Sequence, residues 1–225
     1  MTSILKLENI NYSYIDGGMK RQILKNCNYD FEEGKFYTIL GPSGSGKTTL
    51  LSIVAGLDKP EKGTFSYHGE DVLNKMGLYT YRRNKVAIVF QQFNLINYLT
   101  AVENVEVAMT ETDNEIPKNQ KEVAYALLEK FGIVKSKADR MISQLSGGEQ
   151  QRVAIARAIA SNVDLIFADE PTGNLDTATE KEIIEIFKML TRDFGKTVIV
   201  VTHSNMVSEM SDLRILLQDG DLHAI

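Results

Sequence analysis

One cysteine, Cys27, stands in the 225 residues, so no intrachain disulfide can form and no cysteine–histidine metal spacing exists. A buried, small apolar role is the expectation for it. The start, MTSILKLENINYSY, has neither a basic head nor an apolar run, so it does not read as a secretory signal. Apolar runs such as Val86–Phe90 are strand-sized, far below the ~20 residues that cross a bilayer. These absences lead to the expectation of a cytoplasmic protein that works at a membrane, if at all, through a partner. An excess of positive charge is missing too: 25 Lys and Arg against 30 Asp and Glu leave −5. That excludes a broad basic field, and a nucleic-acid partner has no support. Internal repeats and low-complexity segments are absent.

What is present is a globular composition, 43% hydrophobic and 24% charged, with length for one large domain or one domain carrying an inserted subdomain. Ile4–Leu7 and Tyr12–Tyr14 read as short β pieces, Asp16–Gly18 as a turn, and Phe36–Leu40 as a buried run ending at Gly41. Thr49–Ala55 reads as a helix closed by Gly56, and Gly63–Tyr67 and Val86–Phe90 as further strands. From about Thr100 to Ala160 the pattern turns helical. Pro117 marks a helix start, after which Val123, Leu127, Lys130 and Phe131 keep helical spacing. A second helix begins near Gly147 and carries Val153, Ala156 and Ala160 on one side. Then come a strand at Leu165–Ala168, an amphipathic helix at Thr179–Leu190 with Ile183, Ile184, Phe187 and Leu190 inward, and a strand at Val198–Thr202. Leu213–Leu217 and Gly220–Leu222 look like a closing hairpin. The alternation predicts an α/β fold with a mostly parallel sheet and a helical insertion near residues 95–160.

GPSGSGKT, from Gly41 to Thr48, fits G-x-x-x-x-G-K-[ST] between an apolar strand and a helix. Its glycines let backbone N–H groups turn toward phosphate oxygens, and the helix aims its positive end at them. Gly41, Ser43, Gly44, Ser45, Gly46, Lys47, Thr48 and Thr49 are the candidate cradle. Lys47 is expected to reach the β- and γ-phosphates, and the Thr48 hydroxyl to ligate Mg²⁺. Leu165–Ala168 delivers two carboxylates at its end. Asp169 suits a hard cation, usually through water. Glu170, swung by the exit into Pro171, suits polarising an attacking water. His203 and Gln91 each follow a buried strand, and in a doubly wound sheet that puts them on the same rim as Lys47 and Glu170. The Gln91 amide is a candidate for the metal or the water. Tyr14 is a candidate to stack on adenine, with Tyr12 equally open on spacing. LSGGEQQR, from Leu145 to Arg152, supplies Ser146 as a helix N-cap and Gly147 and Gly148 for close backbone approach. The exposed N–H groups plus the serine hydroxyl make a second anion site suited to a γ-phosphate. One copy cannot wrap both sites around the same ATP, which implies a clamp made from two chains.

These residues resemble the ABC ATPases over nearly the whole chain. GPSGSGKT matches Walker A, Gln91 the Q-loop, LSGGEQQR the signature and DLIFADEP (Asp164–Pro171) Walker B. Asn174–Asp176 matches the D-loop and His203 the switch histidine, all in the family's order. The resemblance implies a P-loop NTPase fold in one domain spanning 1–225. Its RecA-like core, with an N-terminal antiparallel β subdomain, takes about 1–95 and 160–225, and an inserted helical subdomain takes about 96–159. It favours Tyr14 over Tyr12 as the adenine platform. It also implies a head-to-tail homodimer, two ATP molecules with Mg²⁺ lying between Walker A of one chain and Ser146–Glu149 of the other. Glu170 would activate water, His203 contact the γ-phosphate and Asp176 link the two sites across the interface. Closure would move an integral membrane permease docked near Phe93–Leu99; those apolar residues equally suit packing a subdomain junction. PTGNLD (Pro171–Asp176) and QQFNLINYLTAVENV (Gln91–Val105) look like one branch, which serves macrolide exporters, lipoprotein-release systems, antimicrobial-peptide resistance transporters and a cell-division permease. The expected function is ATP hydrolysis coupled to export or to force across the membrane. The alternative is regulation of a cell-wall hydrolase through a division-type permease, with nothing carried.

Two other classes share part of this pattern. GPSGSGK also resembles guanylate kinase, which needs neither LSGGEQQR nor the Glu170/His203 pair. Chromosome-structure clamps share the motifs but insert a long coiled coil before the signature, and no sustained heptads lie between Thr48 and Leu145.

Overall fold

The computed structural model describes residues 2–225, the side chain of Asp16 excepted. In chain order the strands are β1 (Ser3–Asp16), β2 (Met19–Glu32), β3 (Phe36–Leu40), β4 (Lys62–Tyr67), β5 (Glu70–Asp71), β6 (Val86–Phe90), β7 (Leu165–Asp169), β8 (Thr197–Val201), β9 (Leu213–Gln218) and β10 (Asp221–Ala224). The helices are α1 (Lys47–Val54), α2 (Leu78–Asn84), α3 (Ala101–Glu111), α4 (Gln120–Lys130), α5 (Lys135–Ala138), α6 (Gly147–Ala160), α7 (Thr177–Arg192) and α8 (Asn205–Met210). One sheet has four strands in the order β2-β1-β4-β5, and its pairs are antiparallel. The other has six, in the order β10-β9-β3-β8-β7-β6, parallel except for the closing β9–β10 hairpin. Helices α3 to α6 all fall between β6 and β7 in the chain, so the expected α/β architecture with a helical insertion is present.

Why the central strands read as unbroken apolar runs is clear from what covers them. In β8, Val198 and Val200 pack on one face with α3, α4, α6 and α7, while Ile199 and Val201 pack on the other with α1 and the antiparallel sheet. In β7, Ile166 and Ala168 take the first face and Leu165 and Phe167 the second. A strand alternates its side chains, and a sheet covered on both sides therefore needs apolar residues at every position. Asp169 continues the parity of Phe167 and so points toward α1.

Several boundaries differ from expectation for physical reasons. β1 is one strand instead of two pieces, and its partner β2 runs the same length. Register shifts between Leu7 and Ile10 and between Ile10 and Tyr12 break the period of two, which hid the pairing. The helix expected from Pro117 begins at Gln120, and Ala124 and Leu128 are its deepest residues. Val123 and Leu127 are only partly buried, and Lys130 is exposed, its ammonium 4.0 Å from the centroid of the Phe194 ring. The helix after the glycine loop starts at Lys47, two residues earlier than expected, because Gly46 at φ 100° serves as its N-cap. Cys27 is buried as expected, with its Sγ 2.8 Å from the Gly220 carbonyl, and burial pushes its thiol up to about 11. No helix among the described residues is long and apolar enough to cross a membrane.

Register sets the rim. Ile39 pairs with Val201, Val201 with Asp169, and Asp169 with Phe90. Four chain segments therefore leave the sheet at one level. Phe187 ties α7 beneath them, fully buried with its ring centroid 6.1 Å from that of Phe36. Phe187→Ala is expected to cost about 3–5 kcal/mol through the lost burial and the cavity left behind. Urea unfolding should report it as a lower midpoint at unchanged slope.

Candidate functional site

A cavity of about 730 Å³ opens on that rim, within the range of ligand sites. Its walls come from the glycine loop (Ser43, Gly44, Gly46, Lys47, Thr48, Thr49), the strand ends (Gln91, Glu170, Gly173, His203) and the β1–β2 hairpin (Tyr14, Arg21, Ile23). Gly44 and Gly46 stand at φ 75° and 100°, left-handed backbone that turns the loop. Gly41 and Ser45, both expected in the cradle, are not among the walls. Gly41 is wedged against the Leu217 carbonyl and the Ser45 hydroxyl, so this pair shapes the back of the loop.

Lys47 is buried and donates to the carbonyls of Gly41 (2.9 Å) and Pro42 (3.2 Å). Its Nζ also lies 3.1 Å from His203 Nε2. An ammonium has no acceptor capacity, so a hydrogen bond there takes the imidazole nitrogen as its acceptor. Burial lowers the Lys47 ammonium from its usual value, with Glu170 and Asp169 opposing. Thr48 Oγ1 donates to Asp169 Oδ1 at 3.3 Å, which brings two hard oxygens together beside the loop. That donor set fits Mg²⁺, which prefers octahedral oxygen ligands and takes few of them from protein. Burial pushes the Asp169 carboxyl above its ordinary value, with the Thr48 hydroxyl pulling the other way.

Glu170 reaches the same cavity through its own backbone. Its φ is 44°, a left-handed conformation that costs an ordinary residue about 1–2 kcal/mol. The swing therefore occurs at Glu170, one residue before the expected hinge into Pro171. The Glu170 N–H donates to Val201 O at 2.9 Å, and Oε2 accepts from Thr202 Oγ1 (2.9 Å) and His203 N (3.2 Å). Oε1 lies 3.5 Å from His203 Nε2. Gln91 lies alongside, its Nε2 donating to Asn174 Oδ1 at 3.3 Å.

Of the two tyrosines, Tyr14 faces the cavity. It is 47% exposed and its OH sits 2.9 Å from Thr49 Oγ1. Tyr12 meets it edge-on at 5.1 Å but spends its hydroxyl on Asp58 at 2.6 Å. Arg21 and Ile23 were missed by sequence reasoning. Arg21 pairs directly across from Tyr14, a register that becomes visible only with the hairpin built.

The second motif is elsewhere. Ser146, Gly147, Gly148 and Glu149 are not among the cavity walls. Ser146 caps α6 and completes a capping box with Glu149. Gly148 owes its missing side chain to packing, since a Cβ there would meet Thr179 Cγ2 at 2.4 Å. Asp176 is likewise outside the walls. It caps α7, accepting from the backbone N–H groups of Ala178 and Thr179 and from the Thr179 hydroxyl. The loop after Gln91 is held from below by two residues the sequence did not single out. Arg157 of α6 donates to the carbonyls of Asn94 (2.6 Å) and Phe93 (3.0 Å). Asn104, fully buried, bonds to both backbone groups of Ile96. Leu95 packs into the helical core and Tyr98 is 77% exposed.

A glycine loop, a lysine, a strand-end carboxylate pair and a histidine on the rim of a parallel sheet define a P-loop nucleotide-binding protein. The model of the ABC transporter family matches residues 24–173. The uncharacterized ABC transporter ATP-binding protein YclH of Bacillus subtilis is 44% identical over 97% of this chain and 95% of its own. The macrolide export ATP-binding/permease protein MacB of Bdellovibrio bacteriovorus is 41% identical over 96% of this chain but only 33% of its own length. The dimeric structure of the ABC transporter cassette MJ0796, from Methanocaldococcus jannaschii, superposes with a TM-score of 0.88 at 41% identity, over 98% of this chain and 97% of that one. A second structure of that cassette, dimeric and bound to ADP and phosphate after hydrolysis, gives 0.87. The chain belongs to the ABC transporter family; it is an ABC ATPase domain with the P-loop NTPase fold.

Tyr14→Ala is expected to weaken ATP binding about tenfold, the scale of one lost base–aromatic stack. Tyr12→Phe, which removes only the Asp58 hydrogen bond, should leave the Kd within about twofold by calorimetry.

Proposed function

We propose that this ATPase works as a head-to-tail homodimer that closes on two ATP molecules and so drives a separate membrane permease. The observation that carries the reading is the split between the two phosphate-binding elements. One cavity holds the glycine loop, Gln91, Glu170 and His203, while the capped end of α6, with Ser146 and Gly147 exposed, lies outside it. A second copy is the natural source of the missing half, and the dimeric MJ0796 cassette supports that arrangement. The chain itself is read as one domain, a nucleotide-binding core of about 1–95 and 160–225 with the helical segment of about 96–159 carrying the signature.

Within each site, Lys47 and the loop N–H groups bind and orient the β- and γ-phosphates, and Tyr14 carries the adenine. Thr48 and Asp169, with Gln91, would hold Mg²⁺, which when bound offsets the negative charge that develops on phosphate. Glu170 orients the attacking water and accepts its proton as the water oxygen bonds to the γ-phosphorus and the bond to ADP breaks. Two donors already fix its Oε2, which leaves Oε1 for the water. His203 stands beside both Glu170 and Lys47 and contacts the γ-phosphate. Asp176 runs along the interface to the other copy. The residues Phe93–Leu99 meet the permease at the inner face of the cell membrane; their split between inward Leu95 and exposed Tyr98 suits both packing and docking. Likeness to the ATP-binding part of MacB favours an exporter or force-transmitting system for peptides, drugs or lipid-linked molecules over control of a cell-wall hydrolase.

Glu170→Gln should bind ATP, turn over at least about a hundredfold more slowly and accumulate as an ATP-dependent dimer. Gel filtration with Mg·ATP that returns only monomer, beside normal phosphate release, would overturn the reading. Ser146→Arg should leave ATP binding by the monomer intact and abolish turnover. Equal loss of both would refute a site completed by the second copy.

A further inference from the structure

In this chain the first turn of the signature helix carries an acid. Glu149 lies in the first turn of α6, the turn whose N–H groups are proposed above to meet a γ-phosphate. A carboxylate there opposes the field it sits in. It stabilises its own helix end, yet it also cancels the positive potential that draws an anion. The structure answers this with a second side chain. Lys137 Nζ pairs with Glu149 Oε1, while Oε2 accepts from the Ser146 N–H at 2.8 Å. Glu149 is 13% exposed at its side chain and Lys137 40%, so the pair lies in the surface with the lysine outermost. Lys137 is held in register by its neighbour: Ala138, fully buried, anchors the short α5 in the helical core. The Lys137 ammonium, ahead of the Ser146 hydrogen bonds, keeps the Glu149 carboxyl below the usual carboxylate range. The acid is therefore charged at neutral pH and its charge must be balanced.

We propose that Lys137 is a positioning residue for the paired active site, neutralising Glu149 so that the first turn of α6 meets the γ-phosphate of a nucleotide held by a second copy as an electropositive surface. The proposal rests on the two-copy reading above. It assigns Lys137, in neither the glycine loop nor the signature motif, an effect on dimer closure and turnover and none on nucleotide capture by a single copy.

A charge argument is tested by removing charges in pairs. Lys137→Met keeps the length of the side chain and strands Glu149. Glu149→Gln removes the acid and keeps the capping box, since glutamine serves at that position too. In the Glu170→Gln background, Lys137→Met should raise the protein concentration for half-dimerisation with Mg·ATP about tenfold or more, the scale of one unbalanced charge near a protein surface. With Glu170 intact, kcat should fall by a similar factor. The Kd of the monomer for ATP and the thermal midpoint should stay close to the parent values. In the double variant Lys137→Met/Glu149→Gln both dimerisation and kcat should lie within about threefold of those of Glu149→Gln alone, because without the acid the lysine has no charge to balance. A Lys137→Met change that costs as much in the Glu149→Gln protein as in its parent overturns the proposal, since the lysine would then act through something other than Glu149. So does a Lys137→Met protein that dimerises and turns over like its parent, or one whose ATP affinity and thermal midpoint fall together with kcat. Failure of the underlying two-copy reading looks different: the Glu170→Gln parent would then show no ATP-driven dimer before any change at Lys137.

Discussion

Parallel pairing in level register among β3, β8, β7 and β6 is the constraint on which the site depends. Each strand brings its candidate site residues to its carboxyl end: the glycine loop after Leu40, Gln91 after Phe90, the acidic pair at Asp169 and Glu170, and His203 after Val201 and Thr202. The pairs Ile39–Val201, Val201–Asp169 and Asp169–Phe90 bring those ends to one height. A slip of one residue in β7 would send Asp169 to the helical face, away from Thr48, because strand side chains alternate. Burial on both faces forbids such a slip, since it would also exchange Ile166 and Ala168 for Leu165 and Phe167 in two differently shaped cores.

Electrostatics and strain are concentrated where that register delivers them. Lys47 is a buried cation whose desolvation is offset by two carboxylates and by carbonyls of its own loop. Asp169 is a buried acid raised by the same desolvation. Glu170 holds the one left-handed turn among these strand-end residues, kept there by bonds from its N–H to Val201 and to its carboxylate from Thr202 and His203. Strain of this kind persists only where surrounding structure holds it in place. The helical side shows the opposite economy. Ser146, Asp176 and Thr100 all serve as helix caps, so the residues bordering the signature helix and the D-loop are structural before they meet any ligand.

How far the chain could be read in advance varied with how local the signal was. GPSGSGKT, LSGGEQQR and the acidic pair are contiguous, and each carries its own strand or helix context. Central strands such as Val86–Phe90 were legible to the residue because they are wholly apolar and sharply bounded. β2 was not, since bulges and a solvent-facing side left only Leu24, Cys27 and Phe31 deeply buried along it. Arg21 and Ile23 went unseen for the same reason. Arg157 and Asn104 were invisible in another way: a helix-borne arginine and asparagine look like solvated residues until a distant loop supplies the carbonyls they bond. Gly148, read as room for a ligand, also leaves room for Thr179, a neighbour thirty-one residues away that no local pattern shows.

The order of residues by itself determined the class of the protein, the place of the glycine loop, the identity of the acid pair and the alternation that makes a parallel sheet. These follow from spacing within short segments, where backbone geometry alone relates one residue to the next. Tertiary structure alone decided that the turn lies in Glu170 itself, that Arg21 and Ile23 join the cavity wall, and that Gly41 and Ser45 stay out of it. It also decided that Glu149 is matched by Lys137, twelve residues earlier on a separate helix. Such outcomes depend on which surfaces pack together, and packing is a property of the assembled core that no local pattern encodes.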